Sequence, residues 1–179
     1  MKNFYLWLED LHALHQNTVS NFPTDRTKAE VREPKLSLTP MPENNELLVK
    51  ANVPGKDDIY KASILFQNVN YQQLPKDKQL DLYHFLFTNP LNGHKFYIER
   101  LSMRGNNVKV DCSCPDFKNT FNTANYSQNA LYGASSKLPS KRNPKNVPGL
   151  CKHLWRVVQE LQQKGILIDS KTLTLMTYL

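Results

Sequence analysis

The feature that most constrains this chain is a set of three cysteines and one histidine in two short pairs. Cys112 and Cys114 form a C-x-C pair, and Cys151 and His153 form a C-x-H pair after residues 115–150. The sequence contains three cysteines in total, so none is left for a disulfide outside this set. Three thiolates and one imidazole complete a tetrahedral zinc site. The pattern predicts that these four residues bind one Zn²⁺ ion, and the alternative is three scattered structural cysteines with a surface histidine.

The spacing of the first pair suits the end of a β-strand. Residues 108–110 alternate apolar and polar side chains, which is typical of a strand. Side chains two residues apart in a strand project to the same face. We therefore expect the sulfur atoms of Cys112 and Cys114 to lie side by side.

The second pair precedes a helical pattern. Apolar residues recur at helical spacing after it, at Leu154, Val157, Val158 and Leu161. Residues two apart on a regular helix lie about 200° apart around its axis, so a C-x-H pair cannot chelate from the middle of a helix. The pair can chelate if Cys151 lies in the lead-in and His153 in the first turn, where the positive helix end favours thiolates.

This arrangement resembles the SWIM-type zinc finger, whose pattern is C-x-C, a variable gap and C-x-H. The resemblance covers residues 94–164, and each of the four ligand positions is matched. The gap, residues 115–150, is longer than is usual for that pattern. The sequences around both pairs look like those of small SWIM-like proteins of tailed bacteriophages. That resemblance implies a virion structural protein, whereas SWIM domains of cellular proteins imply nucleic-acid binding or an adaptor role.

Length predicts one domain with appendages or two very small units, and the pattern of strands and helices predicts an α+β fold. A chain of 179 residues with 40% hydrophobic residues builds a modest core, for which a metal ion is a useful additional constraint. We expect small antiparallel sheets or hairpins, and a zinc-stapled, treble-clef-like β-hairpin and helix unit. Reduced cysteines indicate synthesis in a reducing compartment. No apolar run approaches the roughly 20 residues of a membrane span, so no membrane partner is expected.

The predicted domain, residues 46–164, is flanked by two apolar ends. Residues 1–16 are predicted to contain an amphipathic helix from Asn3, which docks either on its own domain or on another subunit. His12 and His15 on that helix are interpreted as a solvated face rather than a metal pair. Residues 17–45 are polar and rich in proline, which predicts an extended arm. Residues 165–179 form an apolar tail that either folds back on the domain or is donated to a partner, and donation is the favoured prediction.

Within the domain, strands are predicted at residues 46–53 and 59–69, joined by a turn at 54–57. A helix is favoured over residues 74–88, although Tyr83, Phe85 and Phe87 alternate as in a strand. A strand over 94–102, a turn at 104–107 and the ligand strand 108–112 predict a hairpin. In residues 115–150, a helix is expected to start near Pro115 and extend toward Phe121.

The insert also concentrates positive charge. Residues 115–150 carry a net charge of +4, against +7 for the whole chain. Their aromatic residues include Tyr126 and Tyr132, and four of their basic residues lie in the second half, at Lys137, Lys141, Arg142 and Lys145. Basic and aromatic side chains on a flexible loop can bind a nucleic-acid backbone, fit an acidic groove of a neighbouring subunit, or remain solvated.

These features predict a non-enzymatic protein. A Cys₃His site fills all four tetrahedral positions and leaves none for a reactive water. No catalytic motif stands out, and His84 and His94 are interpreted as packing or surface residues. The favoured function is a minor virion component, in the neck, connector or baseplate, that contacts neighbouring subunits after synthesis in the host cytoplasm. The alternative is a cytoplasmic nucleic-acid-binding or adaptor module.

Overall fold

The computed structural model of the protein describes residues 9–22, 31–73, 84–88, 93, 95–135 and 141–169. Helices and mainly antiparallel sheets occur together, which confirms the predicted α+β class. In chain order the elements are α1 (Leu11–Asn21), β1 (Lys35–Met41), a 3-10 turn (Pro42–Asn44), β2 (Glu46–Pro54), β3 (Ile59–Phe66), β4 (Tyr71–Gln73), β5 (His84–Thr88), β6 (Lys95–Glu99), β7 (Leu101–Ser102), β8 (Val108–Cys112), a π-helical turn (Phe117–Phe121), α2 (Asn122–Ser127), α3 (Lys152–Gln163) and β9 (Leu167–Ile168).

The main sheet has four antiparallel strands in the order β1-β2-β3-β8. The predicted hairpin of β2 and β3 is confirmed, and the N–H of Gly55 donates to the carbonyl of Asp58 at 2.7 Å in its turn. Alternate residues of both strands point into the core, including Leu47, Val49 and Ile64. This inward row provides the surface on which the helices pack.

The ligand strand has a different partner from the one predicted. β8 pairs with β3, and residues 95–102 are divided between two other sheets. The prediction of a hairpin between 94–102 and 108–112 was wrong. The physical reason is burial in the core. Val108 and Val110 are buried, and in this pairing they lie beside the buried residues of β3 on the same face of the sheet. The strand over residues 95–102 is interrupted at Arg100. Strand β6 ends before this residue, and β7 after it pairs with β9.

A second, three-stranded sheet has the order β4-β6-β5. Residues 84–88 are a strand, so the helix favoured over 74–88 is wrong there, and residues 74–83 lie outside the described residues. The alternating aromatic residues were the better signal, because aromatic side chains favour strands and Phe87 finds a cross-strand partner in Phe96.

Helix α1 begins and ends later than predicted. The side chain of Asp10 caps it by accepting the N–H of Ala13 at 2.7 Å, and the helix continues to Asn21 rather than ending at residue 16. Residues 1–8, including the predicted cap Asn3, lie outside the described part of the chain. Leu11 and Leu14 are fully buried within the chain's own core, on the same side of the main sheet as α3.

Both segments predicted to be free of the domain contribute to the core. Strand β1 lies within residues 17–45, which were predicted to form an extended arm. Its residues instead pair with β2 and form the edge of the main sheet. After α3, Gly165 adopts a positive φ of 68° and ends the helix. Ile166 and Leu167 then return to the core and pair beside β7, so this part of the predicted tail is not donated. Residues 170–179 lie outside the described residues.

Tyr71 links the second sheet to the main sheet. Its hydroxyl donates to the carbonyl of Glu46 at 2.6 Å and accepts the N–H of Met41 at 3.2 Å. Burial raises the pKa of Tyr71 to about 12, partly offset by the hydrogen bond from Met41. The neutral phenol is therefore the form that the folded state stabilises.

This link predicts an alkaline dependence of stability. Tyr71→Phe should lower the free energy of unfolding by about 1 kcal/mol at neutral pH, because two hydrogen bonds are lost. The folded pKa of about 12 exceeds the ordinary 10.0, so the unfolded chain loses this proton first. The advantage of the wild type should be complete below pH 10 and shrink as the pH rises through 12, as measured by denaturant titration. Tyr126→Phe, at an exposed position, is the matched control and should change the free energy of unfolding at neutral pH by less than about 0.5 kcal/mol.

Candidate metal centre

The structure brings the four predicted ligand residues together. Cys112 ends β8, Cys114 follows it, Cys151 caps α3 and His153 lies in the first turn of that helix. One potential ligand atom from each residue lies within 4.8 Å of those from the other three. Tetrahedral coordination with bonds of about 2.3 Å places sulfur atoms about 3.8 Å apart. The group could therefore hold a metal ion with little movement of its side chains.

The four donor residues are shielded from solvent, and none of the cysteines is in a disulfide. All four residues are buried, His153 being the most accessible at 3%, and the three cysteines are free thiols. The Nδ1 atom of His153 is buried and lacks a hydrogen-bond partner among the described residues. Buried polar atoms normally have a partner. A metal ion bonded through Nδ1 would satisfy this requirement, and three free thiols with one imidazole are in any case a donor set that fits a cation.

The three thiols polarise one another. The thiols of Cys112 and then Cys151 donate toward Cys114 and hold its pKa well below the usual range, with a further contribution from the N–H of Phe117 at 3.3 Å. Burial, followed by contact with the other two sulfurs, raises the pKa of Cys151. One sulfur is thus stabilised as a thiolate at the expense of its neighbours. A bound cation would stabilise all three thiolates together.

The extended backbone after β8 orients the first pair. The N–H of Ser113 donates to the carbonyl of Lys61 at 2.9 Å, and the Ser113 hydroxyl accepts the N–H of Lys61 at 2.9 Å. These bonds continue the pairing of β8 with β3 beyond Cys112. Cys112 and Cys114 consequently face the same side, as the strand spacing predicted.

A buried polar clamp positions the lead-in to the second pair. The N–H of Leu150 donates to the hydroxyl of Thr18 at 2.8 Å. The side chain of Asn125 accepts the N–H of Gly149 at 2.8 Å and donates to its carbonyl at 3.0 Å. Thr18 and Asn125 are both fully buried, so these bonds are shielded from water. The predicted geometry holds, with Cys151 before the helix and His153 in its first turn.

Sequence reasoning missed Thr18 and Asn125. Thr18 lies in the predicted arm, and Asn125 is one of several asparagines in the insert. No periodicity or motif distinguishes either residue from its neighbours. The nearest signal was Gly149, because a Cβ atom there would lie 2.5 Å from the Thr18 hydroxyl and 2.7 Å from the ring of Phe121.

The insert is folded against the domain rather than being a free loop. The expected helical segment is present, and Phe117 and Phe121 are fully buried in it. Farther on, the N–H of Val110 donates to the carbonyl of Ala130 at 2.8 Å, so this segment covers the outer edge of β8. Lys141, Arg142 and Lys145 are exposed on the following loop, and Lys137 lies outside the described residues.

The remaining histidines do not add to the cluster. His15 stacks on Trp155 of α3 with ring centroids 3.5 Å apart, so it is half-buried rather than part of a solvated face. Burial, and then the nearby His12, lower the pKa of His15. The side chains of His84 and His94 lie outside the described residues. Across the described ranges, the group at residues 112–153 is the one cluster of three or more metal donors.

The chain was compared with protein families, curated proteins and solved structures. No protein family matches the chain, and neither a curated protein nor a solved structure is significantly similar to it. Over the part of the chain that the structure describes, no helix has both the length and the apolar character needed to cross a membrane.

The cluster predicts that a single ligand substitution abolishes metal binding. Cys151→Ser should lose the bound ion and lower the melting temperature by about 10–20 °C, because metal binding supplies folding free energy and about 5 kcal/mol is lost. Elemental analysis and thermal unfolding test this. Ser20→Ala, at an exposed position on α1, is the control and should keep one ion per chain. A Cys151→Ser protein with its full metal content contradicts the assignment.

The clamp makes a separate prediction for Gly149. Gly149→Ala should displace the backbone before Cys151, because the new methyl group meets Thr18 and Phe121 at less than 3 Å. We expect a loss of about 1–3 kcal/mol in the free energy of unfolding and weaker metal retention against a chelator. Gly105→Ala, where the nearest atom is 3.2 Å from the added carbon, is the matched control. Equal effects of the two substitutions would contradict the clamp.

Proposed function

We propose that Cys112, Cys114, Cys151 and His153 bind Zn²⁺ and that the ion is structural. The single observation that carries the proposal is the burial of all four donors in one cluster. Thiolate and imidazole suit zinc among the common metal ions. Four protein donors also complete the tetrahedral coordination typical of structural sites. When bound, the ion would cross-link the end of β8 to the start of α3.

A closed site supports a non-enzymatic role. Catalytic zinc sites keep one position for water or substrate, and here the protein supplies all four donors. The protein environment therefore serves to hold the ion and exclude solvent. We infer that the chain acts through its surfaces rather than through a reaction at the metal.

The favoured role is a zinc-stabilised structural protein of a larger assembly, and by sequence resemblance a minor virion component of a tailed phage made in the host cytoplasm. Two features of the described surface support contact with other subunits. Strands β1 and β5 each lie at a sheet edge, where a further strand can add. Val19 and Ile59 are also large apolar side chains exposed at 46% and 67%.

A second candidate role is a cytoplasmic SWIM-type nucleic-acid-binding or adaptor module. It is favoured by the exposed cations of the insert, Lys141, Arg142 and Lys145, and by the net charge of +7. The same zinc unit would then support a binding surface instead of an assembly contact.

Zinc content and sedimentation separate these roles. The purified chain should contain one zinc ion and three protected thiols, and another bound metal would contradict the zinc assignment. An epitope-tagged copy expressed in its natural source should sediment with a large particle at a fixed stoichiometry. A chain that stays entirely in the low-mass fractions would contradict the assembly role and leave the second candidate.

A further inference from the structure

A cavity of about 220 Å³ lies between the C-terminal end of α1 and the loop at residues 141–147. It is separate from the metal ligands, none of which lines it. Its walls combine apolar side chains, an amide and two cations, from Asn21, Phe22, Arg142, Pro144, Lys145 and Val147.

The loop that carries the cations is held by four side-chain hydrogen bonds, of which the bond from Asn143 to Thr120 is buried. The side chain of Asn143, which also lines the cavity, donates to the carbonyls of Val147 and Thr120 at 2.7 and 3.0 Å. It also accepts the N–H of Val147 at 3.0 Å, and it is only 3% exposed. Asn146 donates to the hydroxyl of Ser127 at 2.8 Å. The backbone beneath Arg142 and Lys145 is therefore fixed before any ligand arrives.

The charge around the cavity favours an anion. Arg142 and Lys145 are exposed, and none of the described residues that line the cavity carries a carboxylate. Asp116 is the sole acidic residue of the whole insert, against five basic residues. A guanidinium group can hold phosphate through two parallel hydrogen bonds, and a lysine can add a second positive charge.

The rest of the cavity suits a flat, partly apolar group. Phe22 is fixed by an edge-on contact with Phe121, with ring centroids 5.1 Å apart. The amide nitrogen of Asn21 donates to the carbonyl of Asn17 at 2.9 Å, which fixes this amide at the wall of the cavity. The volume is below the roughly 300 Å³ at which pockets for drug-sized ligands begin, and it accommodates about one ring.

We propose that this cavity binds one nucleotide of a single-stranded nucleic acid, with the phosphate at Arg142 and Lys145 and the base against Phe22. The inference deepens the second candidate role and rests on it. A second exposed aromatic residue, Tyr126, is 61% exposed and precedes Ser127, which anchors the loop. Cations beside aromatic rings are the usual means of binding single strands. A duplex would not place an unstacked base in the cavity.

The first test measures the charge contacts. Fluorescence anisotropy would follow binding of the zinc-loaded full chain to labelled oligo-dT of about 12 nucleotides, between about 50 and 200 mM salt. R142Q/K145Q should weaken binding at least about tenfold and reduce the salt slope by about 1.4, which corresponds to two lost phosphate contacts. K35Q/K50Q removes the same charge from exposed positions on β1 and β2, and it should change the affinity less than about twofold.

The second test isolates the base contact. Phe22→Leu should weaken binding about tenfold and leave the salt slope unchanged, because it removes a stacking surface and no charge. Zinc content and thermal unfolding of each variant would confirm that the chain remains folded.

The outcomes distinguish this inference from the role on which it rests. Binding that is insensitive to R142Q/K145Q and to Phe22→Leu, or that weakens equally in K35Q/K50Q, overturns the cavity assignment and leaves nucleic-acid binding intact. No binding to oligo-dT at about 50 mM salt overturns both. Binding of poly-glutamate in place of oligo-dT, with the same dependence on Arg142 and Lys145, overturns the inference in favour of an acidic protein partner.

Discussion

The close approach of β8 to the start of α3 is the constraint on which the rest of the structure depends. It places three thiols and an imidazole within 4.8 Å of one another in a buried site. Three thiols at this distance can share hydrogen bonds, but burial opposes ionisation of more than one of them. A bound dication would remove that conflict, because it would replace the shared protons and join a strand end to a helix end. The sheet and the helix would then be fixed to each other at one point.

The backbone before Cys151 is also contacted by residues that lie far from it in sequence. Thr18 from α1 and Asn125 from α2 bind consecutive residues of the lead-in to Cys151. Neither contact touches a ligand atom, yet together they determine where the ligand backbone lies. Because both side chains are fully buried, the loss of either would leave unsatisfied polar groups in the core. The insert and α1 are therefore structural parts of the candidate metal centre.

Local pattern predicted the pieces of this centre, whereas the packing between them was not predictable. The alternation leading to Cys112 and the helical spacing after His153 correctly placed each ligand pair at an element end, because both periods are local properties. The partner of β8 depends on which apolar row of another strand fits it, and the adjacent segment 94–102 was the wrong choice. The strand at 35–41 was missed although Leu36 and Leu38 alternate with polar residues, because the flanking Pro34 and Pro40 favoured an extended arm over a paired strand.

The length of the insert is compatible with a well-formed metal centre. Loop-closure entropy grows only logarithmically, so lengthening a flexible gap from about 10 to about 36 residues costs roughly 1 kcal/mol. Against this, burial of a phenylalanine contributes about 1.5–3 kcal/mol, and the insert fully buries both Phe117 and Phe121. The two buried rings offset the closure cost itself, and the remaining burial and hydrogen bonds of the insert must offset the conformational entropy of about 1–2 kcal/mol per ordered residue. A long gap between the ligand pairs thus need not weaken the centre, and the second half of the insert can present its cations on a supported loop.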